Sequence, residues 1–431
     1  MTITEKDRQY IWHPFTPQKN MADPITIVKG KDSILIDEQM NEYVDAISSW
    51  WVNLHGHAHP YIAEKIYAQA MQLEQVIFAG FTHAPAVELA ERLIKILPGN
   101  FSKIFYSDNG STSTEVALKM AIQYWWNQEE GSGNKRQRTK ILAFNNAYHG
   151  DTFGAMSVSD RSVFTLAFHN LLFEVVFIDT PDDNNINEIK QVIETHGNEI
   201  AAFIYEPLVQ GAGGMKMYDE TLLNEILVTA KKSGIICIAD EVMTGFGRTG
   251  KLFASEYIPE RPDIICLSKG LTGGTMALGV TTCVEKIYNA YVTDDKLKTF
   301  FHGHSFTANP LACTAALASM DLLLKKDCLS RIEWLEDENK KFAELLRTSS
   351  FKASIKNIRT RGTILAFEID KGKDEYLNNI SSIFTQKALQ YGVYLRPLGN
   401  TVYIMPPYCI TKEEYAKIKT TMFKILSELT N

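Results

Sequence analysis

Gly234-Ile-Ile-Cys-Ile-Ala-Asp-Glu241 is a run of five apolar residues entered from a glycine and closed by two carboxylates. A run this short and unbroken fits a strand covered on both faces, the setting of a parallel sheet. Outward from it the pattern recurs at Ile104–Tyr106, Ile141–Phe144, Ala201–Tyr205 and Ile264–Leu267, with helix-periodic segments between. That alternation predicts an α/β fold. Each run opens into polar residues: Ser107-Asp-Asn-Gly110, Asn145-Asn-Ala-Tyr-His-Gly150, Glu206-Pro207, Asp240-Glu241 and Ser268-Lys-Gly270. Ligands of open parallel sheets bind beyond the carboxyl ends of the strands, so all five clusters are expected around one crevice.

After about residue 320 the texture changes. An amphipathic stretch, Ile332–Leu346, precedes strand-like pieces at Ile364–Ile369, Val393–Arg396 and Thr401–Ile404 and a closing helix from Lys412. This reads as a smaller α+β domain, packed with short N-terminal strands near Ile25–Val28 and Ile34–Ile36. The expected division is an N-terminal segment 1–55, a large domain 56–322 and a small domain 323–431. The polar, charge-mixed stretch Glu129–Arg138 reads as an exposed loop.

The 431 residues suit two or three domains of roughly 100–200 residues each. Lys and Arg number 44 against 51 Asp and Glu, a net charge of −7, which disfavours nucleic acid as a partner. No apolar run approaches the about 18 residues of a membrane span. Glu5, Lys6, Asp7 and Arg8 stand where a secretory leader would need apolar residues, so a cytoplasmic enzyme is the expectation. Six cysteines without CxxC spacing are too few for a disulfide scaffold, and Cys237 and Cys266 sit inside strand-like runs.

Ser107–Gly110 leads into a helix expected from about Thr112, where Thr112 and Glu115 have the spacing of a capping box. A Gly-containing turn at a helix N-terminus suits a phosphate, although an ordinary capped turn has the same sequence. Gly245-Phe-Gly-Arg-Thr-Gly250 matches the dinucleotide pattern GxGxxG but leaves no room for a crossover helix before the next strand, and reads as a loop. Lys269 and Asp240 close two strand-like runs. A poorly solvated lysine is available as a nucleophile, and a carboxylate across the crevice can hold a pyridinium nitrogen protonated, the pair that pyridoxal phosphate requires. A Lys–Asp salt bridge at a sheet rim accounts for these two residues equally well. Tyr148 offers an aromatic face and a hydroxyl. His55-Gly-His-Ala-His59 and His302-Gly-His304 invite a metal, yet alternate residues in a loop converge poorly, and no metal is expected. Trp50-Trp51 suits either buried core or an aromatic wall, and Arg396 either a carboxylate grip or a surface salt bridge.

Ile238-Ala-Asp-Glu-Val-Met-Thr-Gly-Phe-Gly-Arg-Thr-Gly250, followed by Ser268-Lys-Gly-Leu-Thr-Gly-Gly274, resembles the signature of the class III pyridoxal-phosphate aminotransferases of fold type I. The likeness extends over nearly the whole chain. It implies a large domain with a mostly parallel central sheet, a smaller α+β domain, and a homodimer with shared active sites. By the same resemblance Lys269 is the Schiff-base lysine and Asp240 the partner of the pyridine nitrogen. Gly110, Ser111 and Tyr148 join them around pyridoxal 5'-phosphate, with His304 and Ser305 supplied by a neighbouring subunit. Phe15, Trp50, Tyr148, Arg248, Lys269, Gly303 and Arg396 are implied substrate contacts.

Trp12-His-Pro-Phe15, Ser48-Ser-Trp-Trp51, Tyr148-His-Gly-Asp-Thr-Phe-Gly-Ala155, Val209-Gln-Gly-Ala-Gly-Gly214 and Met405-Pro-Pro-Tyr408 are similar to one branch of that family. That branch transfers an amino group from S-adenosyl-L-methionine to 8-amino-7-oxononanoate in biotin synthesis. Several of its members carry Tyr where this chain has Phe15, and some relatives with Phe use lysine as donor, which keeps lysine open as the alternative. Other readings at this stage are an aminotransferase of the ornithine or 4-aminobutyrate type, a non-catalytic pyridoxal-phosphate protein, and a nicotinamide dehydrogenase built on Gly245–Gly250.

Overall fold

A computed structural model describes residues 1–19, 21–128, 138–370 and 380–430, so most of the loop expected at Glu129–Arg138 lies outside the described residues. Its last residue, Arg138, lies inside them and stacks over the Trp125 ring, 4.2 Å from the centroid.

Three short N-terminal strands, β1 (Ile27–Lys31), β2 (Ile34–Asp37) and β3 (Glu42–Asp45), form an antiparallel set. The central sheet follows, from β4 (Phe101–Ser107), β5 (Lys140–Phe144), β6 (Val175–Ile178) and β7 (Ile200–Tyr205). A hairpin of two-residue strands, β8 (Val209–Gln210) and β9 (Lys216–Met217), leads to β10 (Ile236–Asp240), β11 (Ile264–Leu267) and β12 (Gly279–Val284). The seven central strands lie in the order β4-β12-β11-β10-β7-β5-β6. Strands β11, β10, β7, β5 and β6 are mutually parallel, and β12 alone runs against both its neighbours. The carboxyl ends of six of the seven strands therefore share one edge.

Every residue of β7 and of β10 is buried, as unbroken apolar runs require. Phe203 and Tyr205 face one core, with Phe144 and Leu142. Ala202 and Ile204 face the other, with Val116, Ala117, Met120 and Ala121 of the helix Gly110–Gln128. Both layers are apolar because the sheet is sandwiched, each fully buried Ile or Phe contributing about 1.5–3 kcal/mol.

Beyond residue 320, β13 (Ile355–Arg361), β14 (Ile364–Ile369) and β16 (Thr401–Ile404) form an antiparallel sheet. The amphipathic stretch is a longer helix than expected, Lys326–Thr348, and it buries Ile332, Leu335, Phe342 and Leu346. The piece expected at Val393–Arg396 is a two-residue strand, β15 (Val393–Tyr394). It pairs in parallel with β3, Val393 opposite Val44, and so completes the N-terminal sheet with a strand from the far end of the chain. The loop holding Gly245–Gly250 is followed only by the short 3₁₀ turn Ala254–Tyr257, with no crossover helix. Among the described residues no helix is long and apolar enough to cross a membrane.

Candidate active site

A cavity of about 800 Å³ lies at the shared carboxyl edge of the sheet. All five polar clusters contribute to it: Asp108–Ser111 after β4, Tyr148–Gly150 after β5, Glu206 after β7, Asp240 at the end of β10, and Ser268 and Lys269 after β11. Strands β10 and β11 are neighbours with Asp240 opposite Cys266, which brings Asp240 and Lys269 to one wall from positions far apart in sequence.

The helix after β4 begins at Gly110, two residues before the expected start. The Thr112–Glu115 capping box does not form. Asn109 caps instead, its Oδ1 accepting the Thr112 N–H at 2.9 Å. Glu115 turns to another element, where Oε2 accepts from Thr152 Oγ1 at 2.8 Å and from the Ala155 N–H at 3.1 Å. Ser111 Oγ accepts the Thr152 N–H at 2.8 Å, so the first turn of the helix and the Tyr148–Ala155 segment are tied together. The opening N–H groups of a helix have no partner within it, and here Gly110 and Ser111 line the cavity. A Cβ on Gly110 would come 2.7 Å from Val242 Cγ1, so only glycine fits at this approach.

Lys269 lines the cavity with its Nζ 4.8 Å from the Trp51 ring centroid. Burial dominates and lowers its pKa, while the Asp240 and Glu206 carboxylates act the other way. The net shift is toward the neutral amine, the form that is both nucleophile and proton acceptor. Asp240 accepts from His149 Nδ1 at 2.7 Å through Oδ2 and from the Val242 N–H at 3.0 Å through Oδ1. Both side chains of that pair are buried, and His149 Nε2 is a buried atom without a hydrogen-bond partner. Glu206 is pushed up to about 7, by burial above all and also by the like charge of Asp240, with His149 opposing. Its oxygens accept the Tyr148 N–H at 3.1 Å and the Gly211 N–H at 2.8 Å.

These groups fit pyridoxal phosphate: a helix N-terminus for the phosphate, a desolvated lysine for the aldehyde, and a carboxylate held by His149 for the ring nitrogen. Among the described residues no group of three or more His, Cys, Asp or Glu could hold a metal ion. Three of the five histidines of the two Gly-containing motifs bond elsewhere. His55 bonds Ser319 Oγ at 3.0 Å and is pushed down to about 3, mainly by burial. His57 meets Asp45, and His302 Nδ1 lies 3.1 Å from Lys119 Nζ.

Aromatic rings frame the cavity. Trp50, Phe15, Phe164 and Tyr148 follow one another edge to face at centroid distances of 5.5, 5.9 and 6.1 Å. Trp51 is buried and donates from Nε1 to Tyr403 Oη at 2.9 Å, whereas Trp50 is 40% exposed. Both tryptophans line the cavity, Trp51 as a buried ring between Tyr403 and Lys269 and Trp50 as an exposed one. Arg396 lies over the Trp50 ring at 4.9 Å. Gly303, His304 and Ser305 do not line this chain's own cavity.

Arg248, expected near the substrate and shaping the site, is 1% exposed and is not among the residues lining this cavity. It donates to the carbonyls of Pro406 at 3.1 Å and of Trp51 and Asn53 at 3.2 Å. A buried cation is held where several carbonyl dipoles converge, so Arg248 shapes the site through the backbone. Arg248→Met is expected to leave these acceptors unpaired and to lower stability by about 2–4 kcal/mol, read from the urea midpoint at unchanged m.

Sequence reasoning gave no role to Glu206, His149 or Phe164. Glu206 and His149 sat within the expected strand-end clusters, which was the only available signal; Phe164 carried none.

The sequence matches the class-III aminotransferase family over residues 16–426. An adenosylmethionine-8-amino-7-oxononanoate aminotransferase of Synechococcus elongatus is 45% identical, over 97% of this chain and 99% of its own length. One of the same name from Geobacter sulfurreducens is 39% identical over 96% and 94%. The crystal structure of the Methanocaldococcus jannaschii enzyme of that name superposes with a TM-score of 0.92 at 34% identity, covering 99% of this chain and 98% of that one. A Pseudomonas jessenii omega transaminase in complex with PMP has the same fold, with a TM-score of 0.92 at 24% identity, covering 100% and 98%.

Proposed function

The chain belongs to the class-III aminotransferases, and on that premise we propose that it transfers an amino group from S-adenosyl-L-methionine to the ketone of 8-amino-7-oxononanoate, giving 7,8-diaminononanoate for biotin synthesis. The observation that carries the reading is the convergence of Lys269 and the His149-held Asp240 on one cavity beside a glycine-initiated helix. Members of this class use pyridoxal phosphate, which when bound supplies an electron sink that stabilises negative charge at the substrate carbon.

The chain's own groups do the rest. Gly110 and Ser111 would hold the phosphate, and Asp240 would keep the ring nitrogen protonated. Lys269 Nζ would be the group placed to take and return the proton at the substrate carbon that bears the nitrogen, with the donor and in reverse with the ketone. The aromatic series from Trp50 to Tyr148 lines the acyl chain, and the faces of its rings suit the donor's sulfonium. Arg396 beside Trp50 binds the substrate carboxylate.

The proposal includes a cytoplasmic homodimer in which Gly303, His304 and Ser305 complete the neighbouring site. In support, that loop stays out of its own cavity and is flanked by the exposed Phe301 and Phe306. It also retains the division of the chain at residues 55 and 322.

The test is the visible spectrum of the protein reconstituted with pyridoxal phosphate, before and after each candidate donor. The cofactor band is expected to bleach with S-adenosyl-L-methionine and to return with 8-amino-7-oxononanoate. Bleaching by lysine alone keeps the product and changes the donor, an outcome that Phe15, lacking a hydroxyl, makes worth measuring in parallel. A protein that acquires no such band overturns the reading.

A further inference from the structure

The segment Ser48–Trp51, which carries both cavity tryptophans, has an unusual backbone. Ser48, Ser49 and Trp51 all have positive φ, at 53°, 60° and 67°, and none is glycine. Ser49, at φ 60° and ψ −86°, lies outside even the left-handed helical region. A conformation of this kind persists only where its surroundings over-determine it.

Asp45 supplies much of that determination. Its side chain is fully buried and does not line the cavity. Oδ1 accepts the Ile47 N–H at 3.2 Å, while Oδ2 accepts the Ser49 N–H at 2.7 Å and Ser49 Oγ at 3.2 Å. His57 Nε2 stands 3.0 Å from the same Oδ2. Asn53 fixes the imidazole: its Oδ1 accepts the Gly56 N–H at 2.8 Å, which directs Nδ2 at His57 Nδ1, 3.1 Å away. His57 Nδ1 is thereby the acceptor and Nε2–H the donor, so every contact made to Asp45 is a donor aimed at a carboxylate. The far side of the turn is anchored separately, by Ser48 Oγ to the Met405 carbonyl at 2.7 Å and by Arg248.

We propose that Asp45, seated by His57, is the positioning residue for the Ser48–Trp51 turn and through it determines how tightly the cavity binds its substrates. Trp51 meets the Lys269 amine and Trp50 meets Arg396 and Phe15, so a turn that relaxes toward ordinary φ angles withdraws two walls of the cavity together. The inference rests on the aminotransferase reading for its kinetic readout only.

An asparagine at position 45 has the same size, but its amide sets an N–H against the Ile47 N–H in one orientation and against the Ser49 N–H and His57 Nε2–H together in the other. Neither orientation satisfies the whole set, because donors converge on both carboxylate oxygens, and both lose the charge that strengthens these bonds. Asp45→Asn is therefore expected to raise KM for the amino donor about tenfold or more, to change kcat by less than about threefold, and to weaken the tryptophan near-ultraviolet circular dichroism of the substrate-free holoenzyme. Adding Ser49→Gly, which tolerates the positive φ without a Cβ, is expected to recover much of both losses, as loss of a merely structural carboxylate would not. Should D45N not fold, His57→Leu is read the same way, and His57→Gln, which keeps a donor toward Asp45, restores most of what His57→Leu loses. Parental KM and dichroism in D45N, or in His57→Leu where D45N does not fold, overturn the proposal, as does a double variant no better than D45N. A changed tryptophan band in a protein that turns over neither substrate upholds the positioning role and removes the functional reading instead.

Discussion

Lys269→Ala is expected to lower turnover by at least about 10³-fold while the protein still binds pyridoxal phosphate. The size follows from what surrounds the cavity. Lys269 is the only amine among the described lining residues, and its burial favours the neutral form that can attack a carbonyl or accept a proton. No neighbouring side chain duplicates both functions: Asp240 is committed to His149, and Glu206 is held by two backbone N–H groups. Cofactor binding survives because the helix N-terminus at Gly110 and Ser111 and the Asp240 carboxylate do not depend on the lysine. Single-turnover kinetics with the cofactor supplied in the amine form, together with equilibrium dialysis, separate these effects. Partial recovery by a small exogenous amine is the expected sign that a proton carrier has been lost. Full activity in the variant would sink the mechanism.

The second large effect belongs to Asp240. Asp240→Asn keeps the shape, the Val242 contact and a partner for His149, but it removes the negative charge. In a buried site a neutral amide cannot hold a protonated ring nitrogen, so the electron sink weakens while the phosphate and the lysine stay in place. A loss of about 10²–10⁴-fold in kcat is expected, with modest change in KM, since the interaction acts on charge that develops during the reaction. His149→Leu is expected to produce a smaller loss in the same direction, because it leaves the Asp240 charge but removes the donor that aims it. Steady-state kinetics with excess cofactor, alongside the spectrum of the bound cofactor, distinguish lost chemistry from lost cofactor. Equal kcat in Asp240→Asn and the parent would assign this carboxylate a structural role.

Much of this site was legible before any coordinates. Short apolar runs closed by polar residues marked five of the seven strands of the central sheet, missing β6 and the antiparallel β12, and the rule that ligands gather at carboxyl ends brought five separate clusters to one cavity. Where reasoning from neighbours in sequence went astray, a distant element had made a better offer. Thr112 and Glu115 have the spacing of a capping box, yet Glu115 finds two donors at Thr152 and Ala155 and leaves the cap to Asn109. Arg248, in the family signature beside the site, donates to three backbone carbonyls from two other parts of the chain, contacts that no local pattern announces.

The sequence by itself determined the class of fold, the edge of the sheet where the polar clusters gather, and the two residues, Lys269 and Asp240, that meet there. These depend on periodicity, on the abrupt ends of apolar runs and on the side chains found there, all local properties of the chain. Only the tertiary structure decided that β15 completes the N-terminal sheet, that His149 meets Asp240, that Phe164 joins the aromatic wall, and that Asp45, with His57 beside it, bonds the positive-φ turn that carries Trp50 and Trp51. Each of these is a contact between residues distant in sequence, selected because a buried donor or acceptor left without a partner costs about 1–3 kcal/mol, and that selection operates only once the chain has closed around it.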